Sequence, residues 1–213
     1  TEGNEGAPIF NSKRTIMYFT RCPSEKKKVF GCDIWMSKKV GNNFSAPVML
    51  ALKPAAAKED TLAIGHPALS GDDAMLVFAS DVKFPGHKGG KDLYMVKLDR
   101  DGSPTGQPVN LGAEVNSGKD EMFPFIRPDG NLFFSSTGHP GMGGMDMFLA
   151  EKTGEGTWGH VENLKAPLNS ASDDFGIAFD GEFDRGFFTS NRPGGKGQDD
   201  IWRFNMPDMV FAL

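Results

Sequence analysis

Aspartate is the residue of chemical interest that recurs most regularly in this sequence of 213 residues. Each recurring aspartate is followed by an apolar and then an aromatic residue, and the four copies are Asp33, Asp92, Asp146 and Asp200. A catalytic carboxylate is needed once, whereas these recur at one place in every copy. We therefore expect each to accept hydrogen bonds from backbone N–H groups of the preceding loop and to fix that loop.

The only two cysteines are Cys22 and Cys32. Alignment of the copies places them on either side of one loop, at facing positions at the base of a hairpin. We predict a disulfide that closes a loop of about ten residues and contributes about 2–3 kcal/mol on the chain-entropy argument. Such a bond indicates an oxidising compartment. Two free thiols in a reducing cytoplasm are the alternative.

The remaining reactive side chains form no recognised catalytic or metal-binding pattern. The four histidines, His66, His87, His139 and His160, are not spaced as metal ligands. The glycine-rich loops lack the helix and the Lys-Ser/Thr pair of a phosphate-binding loop. The closest approach to a catalytic pair of carboxylates is Asp72-Asp73 or Asp173-Asp174, and both align with turns or strand starts. We therefore expect no catalytic residue, no metal and no cofactor.

Composition narrows the class of protein. Gly 27 and Pro 14 are typical of many short strands joined by turns. A formal charge of −5 argues against nucleic-acid binding, which is typical of basic proteins. No apolar run is long enough for a membrane-spanning helix, so we do not expect the chain to span a membrane. The opening TEGNEGAP, without Met, suggests a domain of a longer, processed protein.

The aspartates belong to a longer internal repeat. Upstream of each lies an apolar run ending in small polar residues, at 16–20, 76–80, 132–136 and 186–190. Each copy predicts four strands, A to D, separated by Gly, Asn and Asp turns. In the fourth copy, strand D is assigned to MVFAL at 209–213.

The sequence predicts an all-β single domain over 1–213. This domain is a β-propeller of four-stranded antiparallel blades, with repeats at about 5–60, 61–117, 118–170 and 171–213. The sequence is compatible with a closed four-bladed ring and with a section of a larger ring.

The repeat resembles a known family. Its pattern of Pro-x-apolar, then Phe-x-Ser, then a glycine-rich loop and Asp-apolar-aromatic is similar to the TolB-type propeller repeat. The segment that carries this resemblance most specifically is SNRPGGKGQDDIW at 190–202. It resembles the version in large periplasmic OmpA-family proteins, including the PorE-type component of the type IX secretion system. Two copies depart from the pattern: the first replaces the glycine loop with RCPSEKKKVFGC, and the fourth has Gly176-Ile177 where the others have proline.

The resemblance implies a periplasmic, outer-membrane-associated module with protein partners in an envelope or secretion complex. Peptidoglycan contact would come through domains outside this chain. We expect a non-enzymatic scaffolding role, and we expect the loops on one face of the propeller to bind the partner. The candidate residues of that face are Arg21, Phe84, His87, His139, Met142 and Arg192. The alternatives are a carbohydrate- or peptidoglycan-binding propeller, and a lyase or hydrolase domain with its active site in the central cleft.

Overall fold

The structure is a computed structural model, and it describes residues 3–25, 28–54, 61–181 and 183–205. These residues form strands, turns and loops, as the repeat predicts. No helix long and apolar enough to cross a bilayer occurs in these ranges. The segment 209–213, predicted as the last strand, lies outside the described residues.

The strands form four successive antiparallel sheets, which are the four blades. Blade 1 contains β1 (Asn4–Phe10), β2 (Ile16–Cys22), β5 (Asp33–Val40), β6 (Asn43–Phe44) and β7 (Val48–Met49), with a small hairpin of β3 (Ser24–Glu25) and β4 (Lys28–Val29) in its B–C loop. Blade 2 contains β8 (Ile64–Leu69), β9 (Met75–Ser80), β10 (Asp92–Leu98) and β11 (Pro104–Asn110). Blade 3 contains β12 (Glu121–Ile126), β13 (Leu132–Ser136), β14 (Asp146–Gly154) and β15 (Thr157–Asn163). The described part of blade 4 contains β16 (Asp174–Phe179), β17 (Arg185–Ser190) and β18 (Asp200–Asn205).

The prediction of a propeller with strand B at each apolar run is therefore confirmed. Strands β9 and β13 are buried along almost their whole length, because a blade covers each face of the sheet. This explains why MLVFAS and LFFSS are nearly continuous apolar runs rather than alternating ones.

The core consists of three apolar clusters, each shared by two consecutive blades. Tyr18 and Ile34 of blade 1 pack with Phe78 and Tyr94 of blade 2 in the first cluster. The second joins blades 2 and 3, and the third joins blades 3 and 4. The first strands of successive blades, β1, β8, β12 and β16, also contact one another in that order. They are the inner strands that line the propeller axis.

Candidate functional site

Every inner strand carries a bulge at the same point of the repeat. The pairing of each inner strand with its neighbour shifts at this point, for example between Gly65 and Ala68. The residue at the bulge has a positive φ in all four blades: Ala7 (49°), His66 (52°), Phe123 (52°) and Gly176 (68°). A bulge of this kind re-aims the side chain that it carries. The first three copies therefore present the side chain of the bulge residue at the axis, and blade 4 has Gly176 at this position.

Aromatic rings meet at these bulges. The ring of His66 stacks on the ring of Phe123, with centroids 4.0 Å apart and planes 14° apart. Phe123 in turn contacts Phe175 of blade 4 at 4.9 Å. All three side chains are only partly buried. We call His66, Phe123 and Phe175 the axial cluster.

His66 is neutral in this environment. Burial, followed by the positive charge of Lys91, lowers the pKa of the imidazole to about 4. Its Nδ1 accepts a long hydrogen bond of 3.4 Å from the backbone N–H of Phe123. The proton of the neutral ring is therefore on Nε2, which leaves Nε2 as a hydrogen-bond donor.

Two carboxylates lie directly before the inner strands that carry the phenylalanines. Asp120 precedes β12, and its Oδ1 accepts a hydrogen bond of 2.8 Å from the backbone N–H of Lys91. Asp173 precedes β16, and its Oδ1 accepts one of 2.9 Å from the N–H of Met145. Both are partly exposed. They occupy equivalent positions in neighbouring blades, at the end of the axial cluster where the inner strands begin.

The next residue in each of these strands is an acid with a structural role. Glu121 is fully buried and accepts hydrogen bonds from the N–H and hydroxyl of Ser117 and from the hydroxyl of Ser136. Burial raises its pKa. The equivalent Asp174 accepts from Ser170 and pairs with the guanidinium of Arg192 at 2.5 Å. These two acids fasten the connections between blades.

The connections between blades contain a second motif, which the sequence analysis did not identify. Asn116 exchanges two hydrogen bonds with the backbone N–H and C=O of Leu93, at 2.7 and 2.9 Å. Asn169 does the same with Met147. The signal was the repeated pattern Asn-Leu-x₄-Asn-Ser at 110–117 and 163–170. The sequence also contains a pattern that marks the axial cluster: the bulge residue precedes a proline in the first three copies.

Three of the four repeated aspartates hold their B–C loops as predicted. Oxygens of Asp92, Asp146 and Asp200 each accept hydrogen bonds from two successive loop N–H groups. Asp33 has a further partner, because its carboxylate pairs with Lys53 at 2.9 Å. In blade 1 the cysteine-flanked insert replaces the glycine-rich loop, and residues 26–27 of it lie outside the described residues, so the predicted bonds from Asp33 to this loop stay a prediction.

The Cys22–Cys32 disulfide is confirmed, with the two Cα atoms 4.1 Å apart. It joins the end of β2 to the residue before β5, so it closes the base of the B–C loop of blade 1. The covalent bond constrains the one loop that lacks the glycine-rich pattern of the other blades.

Most of the six residues predicted to form a partner-binding face contact other parts of the propeller itself. Phe84 is buried against the ring of Tyr94, with centroids 5.0 Å apart, so its expected exposure was wrong. His87 contacts the hydroxyl of Tyr94 at 3.0 Å. His139 contacts the carbonyl of Val115 at 2.8 Å. These side chains fold back because the loops need internal partners to order them.

The two arginines of that predicted face are held in a similar way. The guanidinium of Arg192 donates to the carbonyls of Pro167 and Leu168 as well as to Asp174. Arg21 pairs with Glu5 at 2.7 Å and lies over the ring of Trp35. Met142 alone among the six is largely exposed. Whether any of them binds a partner stays a prediction.

The other predicted carboxylate pair, Asp72-Asp73, lies in the A–B turn of blade 2. Asp73 binds the N–H and hydroxyl of Ser12 in blade 1. Asp72 accepts from the hydroxyl of Ser70, and this bond is the main reason that its pKa is lowered. Within the described ranges, no three His, Cys, Asp or Glu side chains are grouped to hold a metal.

Comparison with known proteins relates the chain to others by fold alone. No protein-family model and no curated protein matches the sequence. A Mycobacterium tuberculosis puromycin-hydrolyzing peptidase has a TM-score of 0.56 and 15% identity over 96% of this chain, which spans 27% of the peptidase. An α-L-arabinofuranosidase from Lactobacillus brevis has a TM-score of 0.56 and 13% identity, covering 94% of this chain and 72% of the enzyme. The endo-arabinase of Bacteroides thetaiotaomicron has a TM-score of 0.56 and 17% identity, covering 94% and 74%.

These comparisons overturn the expected function. The sequence analysis predicted a non-enzymatic scaffolding module of a secretion assembly, whereas the structural neighbours are hydrolases, several of them glycoside hydrolases. The neighbours also give no support to the TolB, OmpA-family or type IX secretion assignment. The chain is a β-propeller whose similarity in fold is to hydrolase propellers.

Proposed function

We propose that this chain is a carbohydrate-processing propeller of the glycoside hydrolase type, with its ligand at the axial cluster. The observation that carries the proposal is the contact between Phe123 and Phe175 on neighbouring inner strands, each of which is directly preceded by a partly exposed aspartate, Asp120 or Asp173. The fold of the arabinofuranosidase and the endo-arabinase supports the choice of substrate class.

The chemistry of these side chains suits a sugar. A sugar ring has an apolar C–H face that packs on an aromatic ring, and its hydroxyl groups form hydrogen bonds with carboxylates. The Nε2–H of neutral His66 provides a donor on the same surface. Glycoside hydrolysis generally uses two carboxyl groups. One protonates the leaving oxygen, and the other removes a proton from the attacking water or forms a covalent intermediate. Asp120 and Asp173 are the pair that we assign to these roles.

The test is hydrolysis of linear arabinan and of 4-nitrophenyl α-L-arabinofuranoside. Asp120→Asn and Asp173→Asn keep the oxygen that accepts the backbone N–H but remove the charge, so each should lower kcat at least about 100-fold. Asp173→Asn also removes the oxygen that accepts from the side-chain amide of Asn191, so urea unfolding of each variant is measured alongside. Asp101→Asn is the matched control, because Asp101 lies exposed in the C–D turn of blade 2. Equal rates in all variants would locate the reaction elsewhere.

Binding can be measured separately from catalysis. Phe123→Ala should weaken binding of arabino-oligosaccharides in isothermal titration calorimetry by about tenfold or more, because it removes the central ring of the cluster. Phe44→Ala removes an exposed ring in blade 1 and should leave affinity unchanged. Absence of any titratable binding, together with no hydrolysis, would reject the proposal.

We also propose that the protein works in an oxidising compartment such as the periplasm, in association with the outer membrane. The disulfide supports this location, because such bonds rarely persist in a reducing cytoplasm. The TolB-type character of the repeat is part of the same proposal. Alkylation without reductant, followed by mass spectrometry of the protein from its native source, should leave Cys22 and Cys32 unlabelled.

A further inference from the structure

A cleft separates blades 2 and 3 on the face of the propeller opposite the axial carboxylates. Asp120 and Asp173 lie where the inner strands begin, whereas the cleft is bordered by A–B and C–D turns, at the other end of the strands. Its volume is about 750 Å³, which is in the range of small-molecule sites. We call it the interblade cleft. Its apolar lining includes Met75, Met95, Ile126 and Trp158.

The cleft is open because a small side chain occupies one position of the repeat. Val77 of blade 2 pairs with Met95 across the sheet. Tyr18 occupies the equivalent position of blade 1, where it pairs with Met36. Tyr18 is buried, and its hydroxyl donates a hydrogen bond of 2.7 Å to the carbonyl of Gly102 in blade 2. Valine lacks the ring and the hydroxyl that span this distance. The space between blades 1 and 2 is correspondingly smaller, about 540 Å³, and its lining is mainly polar.

Two thioether groups line the interblade cleft beneath the C–D turn of blade 3. A Cβ on Gly156 in this turn would lie 2.7 Å from Sδ of Met95 and 3.6 Å from Sδ of Met75. Both methionines pack on the second core cluster and remain partly exposed. The indole of Trp158 is held in place, because its Nε1–H donates a hydrogen bond of 2.9 Å to a backbone carbonyl. Methionine sulfur contacts aromatic rings favourably, and its unbranched side chain adapts to the shape of a ligand.

The rim of the cleft carries one cation without an acidic partner. Lys97 of blade 2 pairs with Glu155 of blade 3 at 3.4 Å. Asp72 accepts a hydrogen bond of 2.6 Å from the hydroxyl of Ser70 in its own turn. This bond is the main cause of the lowered pKa of Asp72, and the charge of Lys152 is the smallest. Within the described part of the chain, the ammonium group of Lys152 forms no ion pair. Lys152 can therefore bind an anionic group at the edge of the cleft.

We propose that the interblade cleft binds a small aromatic anion, a ring system that carries one carboxylate or sulfonate group. The ring lies against the thioethers of Met75 and Met95, and the anionic group pairs with the ammonium of Lys152. Tyr18 excludes such a ligand from the equivalent space between blades 1 and 2. The site is separate from the axial cluster and does not depend on the function proposed for that cluster.

Binding is measured by NMR, with 2-naphthoate as the probe and the full chain isotope-labelled at the methionine methyl groups. Met75→Leu and Met95→Leu assign the two methyl signals. Titration should shift both signals, because an aromatic ring shields the methyl groups that it covers. We expect a dissociation constant of about 1 mM or lower. Met142, which is exposed in the B–C loop of blade 3, provides the internal control, and its signal should not move.

Variants and related probes test the two parts of the proposed contact. Lys152→Gln should weaken 2-naphthoate binding by about two- to fivefold, as expected for loss of one exposed ion pair. Lys196→Gln is the matched control and should leave affinity unchanged, because Lys196 is also exposed but lies in a B–C loop on the opposite face. Octanoate has the charge without the ring, and 2-naphthalenemethanol has the ring without the charge. Each should bind more weakly than 2-naphthoate.

Urea unfolding of each variant establishes that the fold is retained. A titration that shifts neither Met75 nor Met95 would overturn the proposal, and so would equal effects of the two lysine substitutions. Octanoate binding as tight as that of 2-naphthoate would overturn the aromatic part. Asp120→Asn should leave 2-naphthoate binding unchanged, so that the two proposals can fail separately. Loss of binding in Phe123→Ala would assign the ligand to the axial cluster and reject the interblade cleft.

Discussion

The imidazole Nδ1 of His66 accepts a hydrogen bond from the backbone N–H of Phe123, which links the inner strands of two neighbouring blades. This bond requires an unprotonated Nδ1. Protonation of His66 would remove the acceptor and place a charge in a partly buried position near the positive charge of Lys91. Burial, followed by the charge of Lys91, lowers the pKa of the ring to about 4.

Acidification should therefore destabilise the fold through His66. The folded-state pKa of about 4 lies below the ordinary value of 6.5, so the unfolded chain binds more protons between these pH values. The stability contribution of neutral His66 is complete above pH 6.5 and is lost as the pH falls toward 4, by about 3 kcal/mol at most.

Urea unfolding of the wild type and of His66→Gln between pH 7.5 and pH 4 measures this effect. The difference in unfolding free energy between the two proteins should shrink or reverse with falling pH. Glu121 titrates with the opposite sign, because its raised pKa favours the folded state at low pH, but it is common to both proteins. Parallel curves would show that His66 does not titrate in this way.

Reduction of the disulfide should destabilise blade 1. Loss of the Cys22–Cys32 bond frees a loop with a sequence separation of 10, which costs about 2–3 kcal/mol on the chain-entropy argument. The Cys22→Ser/Cys32→Ser double variant should lower the urea midpoint accordingly. A reducing agent should lower the midpoint of the wild type but leave the double variant unchanged. Identical midpoints for oxidised and reduced wild type would contradict the prediction.

The repeated aspartates should contribute unequally to the free energy of unfolding. Asp146 is buried, and Asp146→Ala leaves the N–H groups of Met142 and Gly143 without acceptors, at a cost of about 2–4 kcal/mol. Among the described residues, Asp33→Ala removes a partly exposed ion pair with Lys53, at a cost of about 1 kcal/mol or less. Chemical unfolding of the two variants provides the comparison. A larger loss for Asp33→Ala would mean that the first aspartate has a role beyond this pair.

Gly90 in a B–C loop and Gly106 in β11 offer a test of backbone conformation against steric contact. Gly90 has a φ of +59°, and a Cβ there would lie 2.5 Å from the carbonyl oxygen of Lys119. Gly106 has a φ of +79° but no atom within 4 Å of such a Cβ. Gly106→Ala should cost about 1 kcal/mol from backbone strain alone, and Gly90→Ala should cost measurably more. Equal losses in thermal unfolding would show that the loop adjusts to the added methyl group.

The parts of the structure that the sequence predicted are those encoded within one copy of the repeat. The blades, the positions of strand B and the facing cysteines follow from aligning the copies, since local register is set by patterning and turns. The axial cluster depends on a contact between His66 and Phe123, which are 57 residues apart, and on a bulge that apolar patterning does not reveal. Exposure of the B–C loops was overestimated, because Phe84 and His87 fold back onto Tyr94.

The serial arrangement of the three apolar clusters has a consequence for the motions of the molecule. Blades 2 and 3 each contribute to two clusters, whereas blades 1 and 4 contribute to one each. Opening an end blade therefore breaks one interface, and opening an inner blade breaks two. Amide hydrogen exchange should proceed as a gradient along the row, with β9 and β13 exchanging slowest and β17 much faster. Local unfolding would begin at the ends while the centre of the row stayed folded.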